Sequence, residues 1–363
     1  MLRAQGESHA TSIGFKWGGC RSLTGLALDD LDPTEILSTS PDVEVVGKAA
    51  DGEEALRLVS MLRPDVITLD LEMPRMDGFT LLRILMTKMP TPVIVVSSYS
   101  QKENVFKALE LGALDFVAKP DRYADPDLAA IRDELLRKVT LARSVRLAPF
   151  AARRLPDLPL QPSTPETRPA SIMIAPRQVV AIASSTGGPS ALMEIFSRLP
   201  ENSKFAVVIA QHMPDKFTRT FAERLDRRSA LRVAEAQDMD PLGEGMGYVC
   251  PGKQCMELEM PPKGPLRVRV RPPDEGDRYV PSADRLLTSV AYAVGKRAIG
   301  VILTGMGDDG VQGARAILDA GGIVIAESEL TAVVYGMPGS AVRAGATTMT
   351  LPLPEIGDWI AKL

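Results

Sequence analysis

Cysteine and histidine are scarce in this chain, with 3 Cys and 2 His among 363 residues. Three thiols cannot build a disulfide scaffold, and an odd count suits a reducing compartment. A structural zinc site is not expected either, because four soft ligands cannot be assembled at any plausible spacing. His9 sits in a polar N-terminal stretch, so a catalytic imidazole, if one is used, is His212. Long apolar runs are missing too. No segment reaches the ~18 residues that a membrane-spanning helix needs. Met1 to Cys20 is Gly/Ser/Thr-rich without a continuous apolar centre, which does not read as a secretory signal. The expected location is the cytoplasm, with no membrane insertion. There is no excess of positive charge: 42 basic against 46 acidic residues give a net charge of −4. Broad nucleic-acid binding needs a dense cationic surface and is not expected here.

What the chain does have is an ordinary folding composition, 45% hydrophobic and 24% charged. Its length suits two domains. The sharpest change in composition is a proline-rich stretch holding Pro149, Pro156, Pro159, Pro162, Pro165, Pro169 and Pro176. Proline fixes φ and removes backbone donors, so this stretch reads as a semi-extended linker. The expected organisation is an atypical N-terminal segment at 1–22, a first domain at 23–140, the linker at 141–176 and a second domain at 177–363.

Both domains alternate strand and helix signals, which predicts two doubly wound parallel α/β sheets. In the first, Val43–Val46, Val66–Leu69, Pro92–Val96 and Phe116–Ala118 read as strands, with helical spacing over Asp51–Leu62, Ser100–Leu111 and Asp127–Ala142. In the second, Val179–Ala183, Phe205–Ala210 and Ile299–Leu303 read as strands, each delivering a polar tip. Ligands of such sheets bind at the carboxyl ends of the strands.

Three chemical groups fall at successive strand ends of the first domain: Asp70, Ser97 and Lys119. Singly, each has a plain reading as turn cap, loop hydroxyl and surface cation. Together they suit phosphoryl transfer, with the carboxylate as nucleophile, the hydroxyl as sensor and the ammonium paired to phosphoryl oxygens. Val66 to Gly78, Pro92 to Ser97 and Gly112 to Pro120 resemble the corresponding segments of a response-regulator receiver domain. The resemblance implies Asp70 as phosphoacceptor, Ser97 and Lys119 as its partners, and Mg²⁺ held by Asp70, the Glu72 backbone and an acid pair. That pair would be Asp29 and Asp30, closing the segment Leu26–Asp30 as the first strand. From Asp30 to Pro41 the chain is too short for a full helix, so the first βα unit departs from the receiver pattern.

In the second domain Ser184-Ser185-Thr186-Gly187-Gly188 follows a strand and opens a helix, a context that suits an exposed nucleophile. His212 ends the next strand, and Asp309 lies in the Gly-rich tip after another. A serine hydroxyl needs a base to take its proton and an acid to orient that base. Read alone, Ser185 is a helix cap, His212 a buried histidine and Asp309 a cap for the next helix. Val180 to Pro189, Gln211-His212-Met213-Pro214, Ile302 to Gly310, Pro281 to Asp284 and Val334 to Gly339 resemble the chemotaxis protein-glutamate methylesterases, the CheB family. The likeness extends over Val43–Asp121 and Val179–Leu351, and a receiver joined to this domain is that family's own arrangement.

The resemblance implies Ser185 as nucleophile, His212 as base, Asp309 as the orienting acid, and Thr186 and Met306 at the oxyanion. It also implies demethylation of glutamate methyl esters, and deamidation of glutamines, on the cytoplasmic helices of chemoreceptors. No cofactor is implied for the ester chemistry. A chemotaxis histidine kinase would supply the phosphoryl group, and the resting receiver would cover the esterase site. A transcriptional regulator is disfavoured by the acidic charge and the lack of a helix-turn-helix pattern, whereas a non-catalytic binding module stays open at this point.

Overall fold

The computed structural model describes residues 11–14, 20–25, 33–98, 101–119, 128–142, 145 and 173–363. The chain divides into two compact units, residues 1–154 and 155–363.

The first unit is built on β1 (Thr11–Gly14), β2 (Cys20–Gly25), β3 (Val43–Lys48), β4 (Val66–Leu69), β5 (Val93–Ser98) and β6 (Asp115–Lys119). Strands β3-β2-β4-β5-β6 run parallel in that order, and β1 pairs antiparallel with both β2 and β3. The helices are α1 (Pro33–Ser38), α2 (Gly52–Leu62), α3 (Gly78–Lys88), α4 (Lys102–Glu110) and α5 (Leu128–Leu141). Asp51 caps α2 by accepting the Glu53 and Glu54 N–H groups at 2.9 Å each, and Arg63 ends the helix in the left-handed region. The apolar runs of β4 and β5 are buried because a parallel sheet is covered on both faces.

The first parallel strand in chain order, paired between β3 and β4, is Cys20–Gly25, just ahead of the Leu26–Asp30 segment to which the sequence reading assigned it. Leu26–Asp30 itself, with Asp29 and Asp30, lies outside the described residues. The helix that follows is six residues long, opens on Pro33 and buries Ile36 and Leu37.

The second unit carries a seven-stranded, all-parallel sheet of order β15-β14-β13-β7-β8-β10-β9. These are β7 (Gln178–Ser184), β8 (Phe205–Gln211), β9 (Arg232–Glu235), β10 (Met246–Val249), β13 (Ala298–Ile302), β14 (Ile323–Glu327) and β15 (Met349–Leu351). The helices are α6 (Gly188–Phe196), α7 (Asp215–Arg228), α8 (Ala283–Val294), α9 (Val311–Asp319), α10 (Met337–Arg343) and α11 (Leu353–Ile360). A separate antiparallel hairpin, β11 (Cys255–Glu259) with β12 (Arg267–Arg271), buries Met256, Leu258 and Val268 in the same core as α8 residues Leu286 and Leu287.

The chain starts this sheet at its centre, on β7. It moves outward through β8 on one side and later returns to β13 on the other. That reversal opens a crevice at the carboxyl end of β7, where open α/β sheets place their ligands.

Candidate active site

Register sets the site before any side chain does. Ser184 on β7 pairs with Gln211 on β8, so Ser185 and His212 are each the next residue on neighbouring strands. The His212 N–H donates to the Ser184 carbonyl at 3.0 Å, and the Ser185 N–H to the Thr304 carbonyl at 3.1 Å. The tips of β7, β8 and β13 are thereby tied together.

Asp309, on the tip beyond β13, is buried, and its Oδ2 lies 2.8 Å from His212 Nε2. The same oxygen accepts the Ala283 N–H at 2.8 Å, and Oδ1 accepts the Asp284 N–H at 2.9 Å. Those two donors open α8, where the helix end favours a negative charge. A carboxylate oxygen that already accepts backbone N–H groups acts as an acceptor, so the ring nitrogen facing it, Nε2, is assigned as the donor. The lone pair is then on Nδ1.

Tyr279 stacks on the His212 ring and donates its hydroxyl to Asp308 Oδ1 at 3.0 Å. Burial and the adjacent Asp308 carboxylate push the phenol above its ordinary value, which keeps it a neutral donor. Arg278 lies over the same ring and reaches Asp308 Oδ2 at 3.5 Å. An open groove of about 880 Å³ borders the site, lined by Arg278, Tyr279, Tyr292, Asp308, Asp309 and Arg343 among others.

Thr186 is buried, and its carbonyl accepts the Thr304 hydroxyl at 2.9 Å. Gly305 packs straight against the turn at Ser185, since a Cβ there would stand 2.8 Å from Ser185 Cβ. Its N–H goes to the Val334 carbonyl, and the next residue, Met306, is exposed. The five residues expected in this site, Ser185, His212, Asp309, Thr186 and Met306, thus share the ends of three adjacent strands. The sequence reading missed Gln211, Tyr279 and the two donors at Ala283 and Asp284. The adjacency of Gln211 to His212 was one available signal, but nothing in its spacing marked Tyr279.

In the first unit, buried Asp70 follows β4, and its Oδ2 accepts Lys119 Nζ at 2.7 Å while Oδ1 accepts the Glu72 N–H at 3.0 Å. Lys119 ends β6. Ser97, on the neighbouring β5, is buried and donates to Gln101 Oε1 at 2.8 Å. Gly78 lets α3 start against this loop: a Cβ there would lie 2.7 Å from the Asp70 carbonyl oxygen and the Leu71 Cα. Among the described residues no group of three or more His, Cys, Asp and Glu is arranged to hold a metal. The Asp70 carboxylate and the Glu72 backbone are hard oxygen donors of the kind Mg²⁺ takes together with waters. Also among the described residues, no helix is long and apolar enough to cross a membrane.

Comparison with known proteins decides the family. Residues 180–360 match the CheB methylesterase family model, and residues 33–128 match the response regulator receiver domain. Protein-glutamate methylesterase/protein-glutamine glutaminase 1 of Myxococcus xanthus is 46% identical, the match covering 90% of this chain and 92% of that one. The chain belongs to the protein-glutamate methylesterase/protein-glutamine glutaminase family. A second relative of that name, number 3 of Geobacter sulfurreducens, is 47% identical over 91% of this chain and 92% of its own. The solved CheB methylesterase catalytic domain of Thermotoga maritima is 38% identical, covers 51% of this chain and 97% of that structure, and gives a TM-score of 0.49. The family is the one the motifs resembled. Membership makes this chain a chemotaxis-type hydrolase that carries a response-regulator receiver in the same polypeptide.

Proposed function

We propose that this methylesterase-family enzyme hydrolyses glutamate γ-methyl esters, and deamidates glutamines, on the cytoplasmic helices of chemoreceptors. The observation that carries the mechanism is the 2.8 Å contact of His212 with buried Asp309, on strand tips adjoining Ser185.

Ser185 Oγ attacks the ester carbonyl carbon as His212 Nδ1 takes the hydroxyl proton. Asp309 stabilises the imidazolium that forms. The tetrahedral oxyanion rests near Thr186 and Met306, where preorganised donors lower the barrier. Collapse breaks the C–O bond, and methanol leaves with the proton from His212. Water then attacks the acyl-enzyme with His212 again as base, which frees glutamate and Ser185. With a glutamine substrate the leaving group is ammonia.

The receiver is the control element. Asp70 takes a phosphoryl group from a chemotaxis histidine kinase, Lys119 pairs with the phosphoryl oxygens, and Ser97 responds to their presence. Asp70 and the Glu72 backbone, completed by Asp29 and Asp30, would hold Mg²⁺, which neutralises charge on the transferring group. The enzyme works in the cytoplasm. Its parts are an N-terminal segment at 1–22, the receiver at 23–140, a linker at 141–176 and the catalytic domain at 177–363.

The test is methanol release from methylated receptor fragments, with and without a small-molecule phosphodonor plus Mg²⁺. Release should vanish in Ser185→Ala and rise with phosphodonor in wild type but not in Asp70→Asn. No release from folded wild-type protein would end the esterase reading.

A further inference from the structure

Gln211 is the last residue of β8 and is fully enclosed, at 1% exposure. A buried amide is tolerated when its hydrogen-bonding capacity is filled, and this one is filled in an unusual direction. Its Nε2 donates to the Ser185 carbonyl at 3.0 Å and to the His212 carbonyl at 2.9 Å. Its Oε1 accepts the Ser184 hydroxyl at 2.6 Å. Both N–H donors are therefore spent on the two residues that the proposed mechanism uses as nucleophile and base. The amide cannot be reversed, because its oxygen would then face two carbonyls.

The space around it is closed as well. A Cβ on Gly188 would lie 2.1 Å from Gln211 Oε1 and 2.8 Å from Ser184 Cβ. The second glycine of the Ser-Thr-Gly-Gly segment thus makes room for this amide beneath the first turn of α6.

The consequence follows from peptide geometry. The Ser185 carbonyl and the Thr186 N–H belong to one planar trans peptide, so they point in opposite directions. That carbonyl also accepts the Gly188 N–H at 2.8 Å, and its bond to Gln211 is the side-chain tie that helps set the direction of the Thr186 N–H, which adjoins the oxyanion in the proposed mechanism. The second bond holds the backbone that carries the imidazole.

We infer that Gln211 is a positioning residue that locks the nucleophile turn, the oxyanion donor and the histidine into one arrangement, with Ser184 holding its amide in the required orientation. This rests on the triad assignment above. The sheet does not depend on Gln211 for its assembly, because β7 and β8 already pair from Gln178↔Phe205 to Ser184↔Gln211, and the His212 N–H bonds the Ser184 carbonyl directly. Its contribution is to orientation, where small misplacements cost much of a rate.

The experiment uses the full chain and follows methanol release from methylated receptor fragments for wild type, Gln211→Met, Gln211→Glu and Ser185→Ala, with thermal melts alongside. Gln211→Met keeps the shape and loses every bond. It should melt as a folded protein with kcat down at least about tenfold and KM within about twofold, the signature of lost transition-state alignment. Gln211→Glu places an anion against two carbonyls at neutral pH. A protonated Glu regains one donor, so the mutant-to-wild-type ratio of kcat should rise as pH falls from about 8 to about 6. Folded Gln211→Met with wild-type kcat overturns the inference. If Gln211→Met does not fold, a flat Gln211→Glu ratio across pH overturns it and a rising ratio supports it. Ser185→Ala separates the two levels. Full release in that variant removes the triad reading itself, whereas a dead Ser185→Ala beside a fully active Gln211→Met removes only the role of Gln211.

Discussion

The ring of Tyr279 lies flat against the imidazole of His212, with centroids 5.3 Å apart and planes 7° from parallel. The stack covers one face of the imidazole and limits its tilt, while the Tyr279 hydroxyl is anchored on Asp308. An aromatic pair of this kind is worth about 0.5–1.5 kcal/mol beyond its buried area. Tyr279→Ala should therefore lower kcat/KM by about 2- to 12-fold at roughly 1.4 kcal/mol per tenfold. Tyr279→Phe keeps the ring and should stay within about twofold of wild type, since the hydroxyl bond is partly exposed and worth little. Steady-state methanol release from the three proteins checks this. Equal losses in both variants would assign the effect to the hydroxyl rather than to the stack.

Asp309 does two jobs that substitution can separate. Its carboxylate orients His212 through Nε2, and it also accepts the two backbone N–H groups that open α8. Asp309→Asn keeps the acceptor for the Asp284 N–H but turns an amide N–H toward the imidazole and the Ala283 N–H, which share Oδ2, and this sets the wrong tautomer. A loss in kcat on the order of 10⁴ is expected, with a smaller loss of stability than in Asp309→Ala. Asp309→Ala strips the acceptor from two buried donors and should also destabilise the fold by about 1–3 kcal/mol. The comparison of kcat with urea-unfolding free energy for the pair reads out both roles.

Strand ends were legible in the sequence because a buried parallel strand is an apolar run that stops at a polar residue. Val66–Leu69 before Asp70 and Phe205–Ala210 before His212 are such runs, and the chemistry follows directly from where they stop. Strand β2 of the first sheet was not legible, since Cys20–Gly25 reads Cys-Arg-Ser-Leu-Thr-Gly and has a single large aliphatic residue. The β11–β12 hairpin carries no apolar run. In Met256-Glu257-Leu258-Glu259 and Arg267-Val268-Arg269-Val270-Arg271 apolar and charged residues alternate, with Glu257 facing Arg269 across the ladder and Met256, Leu258 and Val268 on the inward face. The Tyr279 stack and the bonds from Gln211 to Ser184 and Ser185 were invisible because those partners lie tens of residues away in the chain. Spacing reports periodicity along one element, not what a neighbouring strand tip brings alongside.

Lys138 fastens α5 to the receiver sheet. Its Nζ bonds Asp115 Oδ1 at 3.0 Å, the Phe116 carbonyl at 2.6 Å and Glu134 at 2.8 Å. Burial alone would lower its pKa, but Asp115 and Glu134 outweigh burial and hold it above the ordinary lysine value. A raised lysine contributes its full stability below the unfolded value near 10.4, and loses it as pH rises through the folded value, so the pair is intact at neutral pH. Lys138→Met leaves buried Asp115 without its cation and should cost about 3–5 kcal/mol. Lys138→Met combined with Asp115→Asn should recover part of that loss, because the orphaned charge is gone. Urea unfolding at pH 7 measures both, and a double variant no more stable than the single would show that packing of the lysine stem dominates.

Cys250 and Cys255 are both fully buried. Burial is the main force pushing each thiol above its ordinary value, with the neighbouring Cys255 adding to the shift at Cys250 and Asp277 to that at Cys255. Neither is a thiolate at pH 8, and the thiolate is the reactive form. Iodoacetamide at that pH should leave both unmodified in the native protein and label both in urea, as peptide mapping by mass spectrometry would show. The same shift makes stability depend on pH. A thiol raised in the fold contributes fully below its unfolded value near 8.5, and the contribution is lost as pH rises beyond that, where only the unfolded chain ionises. From about pH 8.5 to about pH 9.5 each such thiol should remove up to about 1.4 kcal/mol. Cys250→Ala lowers stability at every pH by the cavity it leaves, yet it should show a shallower decline across that window than wild type. Parallel slopes in the two proteins would mean that Cys250 does not titrate differently in the folded and unfolded chains.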